Sequence, residues 1–389
     1  MNQTLLHTPE GVRDIYGKEY QKKLIVEDKL RYAISRYGYE AIQTPTLEFF
    51  DVFSKEVGTT PSKELYKFFD KDGSTLVLRP DFTPSIARCA AKYFMEKTNP
   101  IRMYYIGNTF TNTSNLQGKL KEVTQMGAEL INDDSVEADA EMINMVVDAL
   151  KNTGLEKFQV SIGQADYFKG LCEEAGLDTE TENELRQFIS GKNYFAVQEL
   201  LAERNVCEPY QSILLQVADV FGNMNSLSEA RKLVHNARSL AAIDRLEHLY
   251  EVLKLYKIEQ YISFDLGMLS QYNYYTGIIF KAYTYGIGNA VVKGGRYNNL
   301  LHHFGKDAEA IGFVIVVDEL LEALSRQKVA IELPEQKMTQ TKYYTADNFE
   351  KKLKEAQALR AMGLSVALVR DSVSDHEPDD SNYRKELEV

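Results

Sequence analysis

Cysteine is scarce in this chain. The three residues, Cys89, Cys172 and Cys207, form no CxxC pair and no disulfide framework, which suits a reducing cytoplasm. No run of 18 apolar residues occurs, so no transmembrane helix is expected. The opening "MNQTLLHTPEGVRD" lacks the basic start and apolar stretch of a signal peptide, and a cytoplasmic location is expected. Histidine is also sparse: six residues include the adjacent pair His302 and His303 but no HExxH-type spacing, so no metal is expected. Positive charge is in deficit, with 45 Lys and Arg against 57 Asp and Glu and a net charge of −12. A protein that grips a nucleic-acid backbone needs a basic footprint, and this balance leans against a large one. No GxxxxGK[ST] loop exists, and "GIGNAV" at 286–291 has too few glycines for a dinucleotide fingerprint and reads as a hairpin turn.

What is present is an ordinary globular composition, 44% apolar and 26% charged, in 389 residues, long enough for two or three domains. A helix is expected over 18–37, with Tyr20, Leu24, Leu30, Ile34 and Tyr37 near one face and Gly38 as its stop. Strands follow around Pro45 and before Pro80, then a helix from about Pro84 and another over 135–152. Residues 167–256 read as a mostly helical insertion, within which "SLSE" at 226–229 predicts a capping box. Strand character returns with "YISFDLGML", "YYTGIIFKAYTYG", "NAVVKGG" and "AIGFVIVV", and "GGRY" at 294–297 reads as a turn before a helix. A linker over 326–340 leads to a short strand–helix–strand tail over 341–389. Strands and helices do not alternate regularly, so the main body, residues 1–325, is α+β rather than doubly wound.

One stretch raises a chemical question. In "VTQMGAEL", alternation places Met126, Ala128 and Leu130 on a core face and Gln125, Gly127 and Glu129 on the other. The neighbouring "NTFTNT" offers no cation to Glu129. From spacing alone a wet face, a lysine partner and a ligand site all stay open. Asp81, after the strand-ending "LRP", and the tyrosines of "NYYTG" at 273–277 suit a small cationic or amino-bearing ligand.

Taken in order, the segments resemble the catalytic core of histidyl-tRNA synthetase, a class II synthetase, over about residues 8–325. "GYEAIQTPTLE" is similar to motif 1, which builds the dimer interface in that family; "LRPDFT" to its LRPEGT; "YYIGNTF…GKLKEVTQMGAEL" to motif 2; "NYYTG" to DYYTG; and "GGRYNNLL…IGFVIVVDEL" to motif 3. The resemblance implies an antiparallel sheet core flanked by helices, and a tail that is a truncated anticodon-binding segment. It also implies an amino-acid pocket. Asp81 and Gln125 stand where the family holds the α-amino group, Glu129 and Tyr275 where it contacts the imidazole, and Thr83 and Tyr274 line the same place.

Three positions depart from the family. Thr111 replaces the arginine of the FRxE pattern, Ser270 the catalytic arginine before DYYTG, and Glu319 the arginine of motif 3; Thr113, Asn273 and Val316 differ as well. Amino-acid activation passes through a crowded anionic transition state, and each lost cation costs about 3–4 kcal/mol of its stabilisation. The profile is similar to the regulatory subunits of ATP phosphoribosyltransferase, paralogues of the synthetase. Such a resemblance implies no catalytic residues, no cofactor, a short-form catalytic subunit as partner, self-association through the motif 1 region, L-histidine as a ligand, and no tRNA or membrane partner. An active histidyl-tRNA synthetase and a stand-alone sensor of histidine or tRNA are the alternatives.

Overall fold

The computed structural model describes residues 6–54, 60–113, 120–217, 220–269, 275–334 and 340–371. Two compact units emerge: residues 1–14 with 26–330, and residues 15–25 with 331–389. The elements run α1 (Gly17–Ser35), β1 (Glu40–Ala41), β2 (Leu47–Phe49), β3 (Lys67–Phe69), β4 (Thr75–Leu78), α2 (Thr83–Tyr93), β5 (Ile101–Phe110), β6 (Glu122–Ile131), α3 (Val136–Thr153) and β7 (Phe158–Gln164). There follow α4 (Ala165–Glu174), α5 (Thr179–Ser190), α6 (Tyr194–Glu203), α7 (Tyr210–Val217), β8 (Phe221–Gly222), α8 (Met224–Lys232) and α9 (Ala237–Leu255). The chain then gives β9 (Ile262–Asp265), β10 (Ile278–Thr284), β11 (Val292–Arg296), β12 (Ala310–Val316), α10 (Val317–Arg326), β13 (Gln340–Tyr344), α11 (Phe349–Ala361) and β14 (Val366–Arg370).

A nine-stranded sheet, ordered β1-β5-β6-β12-β11-β10-β7-β9-β8, forms the body of the larger unit. Its pairs are antiparallel except β1 with β5 and β7 with β9, which supports the α+β class. Alternation along β6 is as the sequence predicts: Met126, Ala128 and Leu130 are fully buried. Helix α3 packs against β12 and α9. It starts where Ser135 Oγ accepts the Ala138 amide at 3.1 Å and ends at Gly154 in the left-handed region. A separate antiparallel sheet, β2-β4-β3, turns Glu48 and Val77 inward. In the smaller unit, β13 and β14 pair in parallel.

Some local expectations are corrected. Helix α8 begins earlier than the capping box required: Asn223 caps it by accepting the Asn225 amide at 3.0 Å, and Ser226 Oγ instead donates to the Asn223 carbonyl at 2.6 Å. An asparagine at the earlier position satisfies a free amide first, so the box has no role. "GGRY" is no turn, because Gly294, Gly295 and Arg296 lie within β11. On α1, Leu30 and Ile34 are buried but Tyr20 and Leu24 are exposed.

Candidate functional site

Glu129 is only 1% exposed, and among the described residues no lysine or arginine pairs with it. Hydroxyl groups take the place of a cation. Thr83 Oγ1 donates to Oε1 at 3.0 Å, Tyr105 OH donates to the same oxygen at 3.3 Å, and Tyr297 OH donates to Oε2 at 2.5 Å. Each donor is delivered by a different element: Thr83 by the first residue of α2, Tyr105 by β5 and Tyr297 by the residue after β11. Burial pushes the Glu129 carboxyl up to about 8, against the opposing pull of the three hydroxyls and with help from Asp81. Neither a wet face nor a lysine partner describes this acid.

Backbone space makes the arrangement possible. Gly312 on β12 pairs directly with Glu129. A Cβ at Gly312 would lie 1.6 Å from Glu129 Oε2, so the carboxylate leans across the strand where a side chain would otherwise stand. One strand further, Gly295 is opposite Gly312, and a Cβ there would lie 2.6 Å from the Tyr275 ring. Two glycines thus form the floor on which an acid and a phenol meet. Burial, with the charges of Asp81 and Glu129, raises the Tyr275 phenol well above its usual range, so it stays a neutral donor.

Asp81 Oδ1 accepts the amides of Phe82 at 2.6 Å and Thr83 at 3.2 Å, which fixes the start of α2. Its charge reaches Tyr105, Glu129 and Tyr275. The Phe82 ring stacks on Tyr105 with centroids 4.3 Å apart. Arg79 covers the other side of Phe82 at 4.0 Å but is spent on backbone, donating to the carbonyls of Thr44 and Asn108. Gln125 lies on the same face of β6 as Glu129, and its buried Oε1 has no hydrogen-bond partner among the described residues. An orphaned buried acceptor is costly and suits a donor supplied by a ligand.

The structure therefore brings together Asp81, Thr83, Glu129 and Tyr275, with Gln125 along the same face. Tyr274 lies outside the described residues. Tyr105 and Tyr297 were not foreseen as site residues. The signal for Tyr105 was its place two residues from Met103 on one face of β5; for Tyr297 it was the "GGRY" segment, a strand end rather than the turn expected.

Comparison with known proteins gives the scaffold its place. The histidyl-tRNA synthetase family matches residues 11–320. The ATP phosphoribosyltransferase regulatory subunit of Acetivibrio thermocellus is 40% identical over 93% of this chain and 86% of that protein. That of Ruminiclostridium cellulolyticum is 38% identical over 94% and 87%. The chain belongs to the ATP phosphoribosyltransferase regulatory subunit family, built on the histidyl-tRNA synthetase scaffold. In three dimensions it is similar to an ATP phosphoribosyltransferase regulatory subunit/histidyl-tRNA synthetase from Bacillus halodurans, with TM-score 0.85 and 31% identity over 98% of this chain and 96% of that one. A histidyl-tRNA synthetase from Nostoc shares the fold at TM-score 0.76 and 18% identity, covering 98% of this chain and 88% of that one.

Of the three positions where the synthetase resemblance implies arginine, two can be placed. Thr111 follows β5, its amide donating to the Lys121 carbonyl at 2.9 Å. Glu319, in the first turn of α10, accepts from Asn289 Nδ2 at 2.9 Å. Ser270 lies outside the described residues. Among the described residues no helix is long and apolar enough to cross a membrane, and no cluster of potential metal ligands occurs.

Proposed function

We propose that this chain is the non-catalytic subunit of an ATP phosphoribosyltransferase, required for the activity of a short-form catalytic partner and for its feedback inhibition by L-histidine. The observation that carries this reading is the 40% identity, over 93% of the chain, to a protein named as such a regulatory subunit. The pocket supports it. Asp81 and the Gln125 amide oxygen, unpartnered among the described residues, suit an α-amino group; Glu129, Thr83 and Tyr275 suit an imidazole, and the family resemblance adds Tyr274. Thr111, Ser270 and Glu319 supply no positive charge for an anionic transition state. Residues 1–325 would be the synthetase-like core with its insertion at 167–256, and 341–389 a shortened anticodon-domain segment after the linker at 326–340. Histidine needs to favour one quaternary arrangement by only about 1–3 kcal/mol.

Mixing the purified chain with a short catalytic subunit should give a complex on size-exclusion chromatography and raise phosphoribosyl transfer to ATP, and histidine should lower it again. No complex and no rise would reject the assignment. Histidine-dependent ATP–pyrophosphate exchange, or a tRNA shift at moderate salt, would favour the synthetase or the tRNA sensor instead.

Self-association through the motif 1 region has a surface to use. On one face of the three-stranded sheet lie Leu47, Phe49, Phe68, Leu76 and Leu78, none of them buried; Phe49 is 59% exposed and Leu47 48%. A contiguous apolar patch of this kind marks an interface, and a second copy is the occupant proposed. Phe49→Asp should turn a dimer into a monomer by light scattering while leaving the far-ultraviolet circular dichroism unchanged. A dimer of undiminished affinity would exclude this face.

A further inference from the structure

The site face of the nine-stranded sheet extends past the glycine floor, and there its chemistry changes sign. Residues paired directly across strands share a face. Gly127 on β6 pairs with Val314 on β12, Val314 with Lys293 on β11, Lys293 with Lys281 on β10, and Lys281 with Ser161 on β7. Ser161 in turn pairs with Ser263 on β9, and their hydroxyls are 3.0 Å apart. This row runs beside the one that carries Glu129, Gly312 and Gly295. Two lysines therefore stand opposite each other on neighbouring strands, Lys293 about 10 Å and Lys281 about 14 Å from β6 at the usual strand spacing.

Like charges placed directly across a strand pair are destabilising. Neither lysine makes an ion pair or hydrogen bond among the described residues. Lys281 is half-buried, and burial together with the charge of Lys293 makes its ammonium easier to deprotonate; Asp265 is the acid that opposes this. Asp265 is shared, because Lys192 acts on it too. Lys192 and Lys281 act on Asp265 and Lys293 acts on Lys281, so three lysines and one acid interact here, an excess of two positive charges in a protein whose net charge is −12.

We propose that Lys281 and Lys293, with Lys192 acting on the same Asp265 as Lys281, bind a small doubly charged oxyanion of the phosphate class on this face. The charge count selects the class. A carboxylate would neutralise one lysine and leave the other, whereas a phosphate or pyrophosphate group neutralises both and accepts from each ammonium. Phosphate chemistry has two sources, a free inorganic anion or the phosphate chain of a nucleotide. The proposal does not rest on the regulatory reading or on histidine binding, since it uses none of the residues around Glu129.

The test is calorimetry at fixed ionic strength with inorganic pyrophosphate, inorganic phosphate and ATP as separate probes. Wild type should bind pyrophosphate at one saturable site, and Lys281→Ala with Lys293→Ala should weaken it by at least ~10-fold. Binding of ATP with the same lysine dependence would assign the site to a nucleotide; binding of the inorganic anions alone would assign it to those. Lys293→Ala alone, at an exposed position, serves if the double variant does not fold. With no anion present it should also raise Tm by about 1 °C, because it removes the like-charge pair. No saturable binding to wild type, or equal binding to the variants, overturns the proposal.

Discussion

Replacing Asp139 with alanine should cost about 3–5 kcal/mol and lower Tm by about 6 °C. Asp139 sits in the first turn of α3, fully buried, and receives two arginines from different parts of the chain. Arg296 of β11 reaches it at 2.6 Å and Arg245 of α9 at 2.7 Å. Both arginines also donate to backbone: Arg296 to the carbonyls of Asp133 at 2.8 Å and Ser135 at 3.3 Å, and Arg245 to that of Asp134 at 2.8 Å. The network ties the sheet, α3 and α9 at one point. Removing the carboxylate leaves the Arg296 guanidinium buried without its closest counter-charge, and that uncompensated charge is the source of the cost. Arg296 is also the residue before Tyr297, so the same change should loosen one of the three hydroxyls that hold Glu129.

The control is an ion pair of similar length on the surface. Lys232 and Glu229 meet at 2.6 Å with about two-thirds of each side chain exposed. Glu229→Ala should change stability by less than about 1 kcal/mol, since solvent and side-chain entropy offset most of the attraction. Thermal melts of the two variants in one buffer check both statements. A shift below about 1 °C for Asp139→Ala would mean that the network does not bear on folding.

How much of this was legible in the sequence depends on distance along the chain. The strand β6, its core face and the placing of Gln125 and Glu129 on the opposite face follow from alternation within ten residues. Helix α3 and the tail elements β13, α11 and β14 follow from local pattern and punctuation in the same way. The partners of Glu129 do not. Tyr105 is 24 residues away and Tyr297 is 168, and only strand pairing brings them together. Composition around Glu129 suggested a missing cation, and the answer was three hydroxyls, which no spacing rule could name. The lysine pair was invisible for a related reason. Lys281 and Lys293 lie on separate strands of a hairpin, and whether they share a face depends on the register of β10 against β11. The capping box failed where two local solutions compete, because Asn223 supplies a cap three residues sooner.

Glu129→Gln should become more stable relative to wild type as pH rises from 5 to 8.5. The sign follows from where the proton is held. The carboxyl has an ordinary value near 4.5 in an unfolded chain and about 8 in the folded protein. Below pH 4.5 both states are protonated and the group adds no pH dependence. Between the two values the unfolded chain has lost the proton while the folded protein keeps it, so folding stability falls with rising pH by about 1.4 kcal/mol per unit. Above pH 8 both states are ionised and the loss is complete, on the order of 3–5 kcal/mol in all. Glutamine keeps the shape and has no proton to lose, so the difference in Tm between the two proteins should widen by several degrees across this window. Other raised acids, such as Asp265, are common to both proteins and cancel in the comparison. Parallel pH profiles would show that Glu129 is already ionised at pH 5, held so by Thr83, Tyr105 and Tyr297. The same proton bears on ligand recognition: at neutral pH the free site presents a carboxylic acid, so a group that stays cationic throughout this range must displace that proton to pair with Glu129, and its affinity should rise as pH approaches 8.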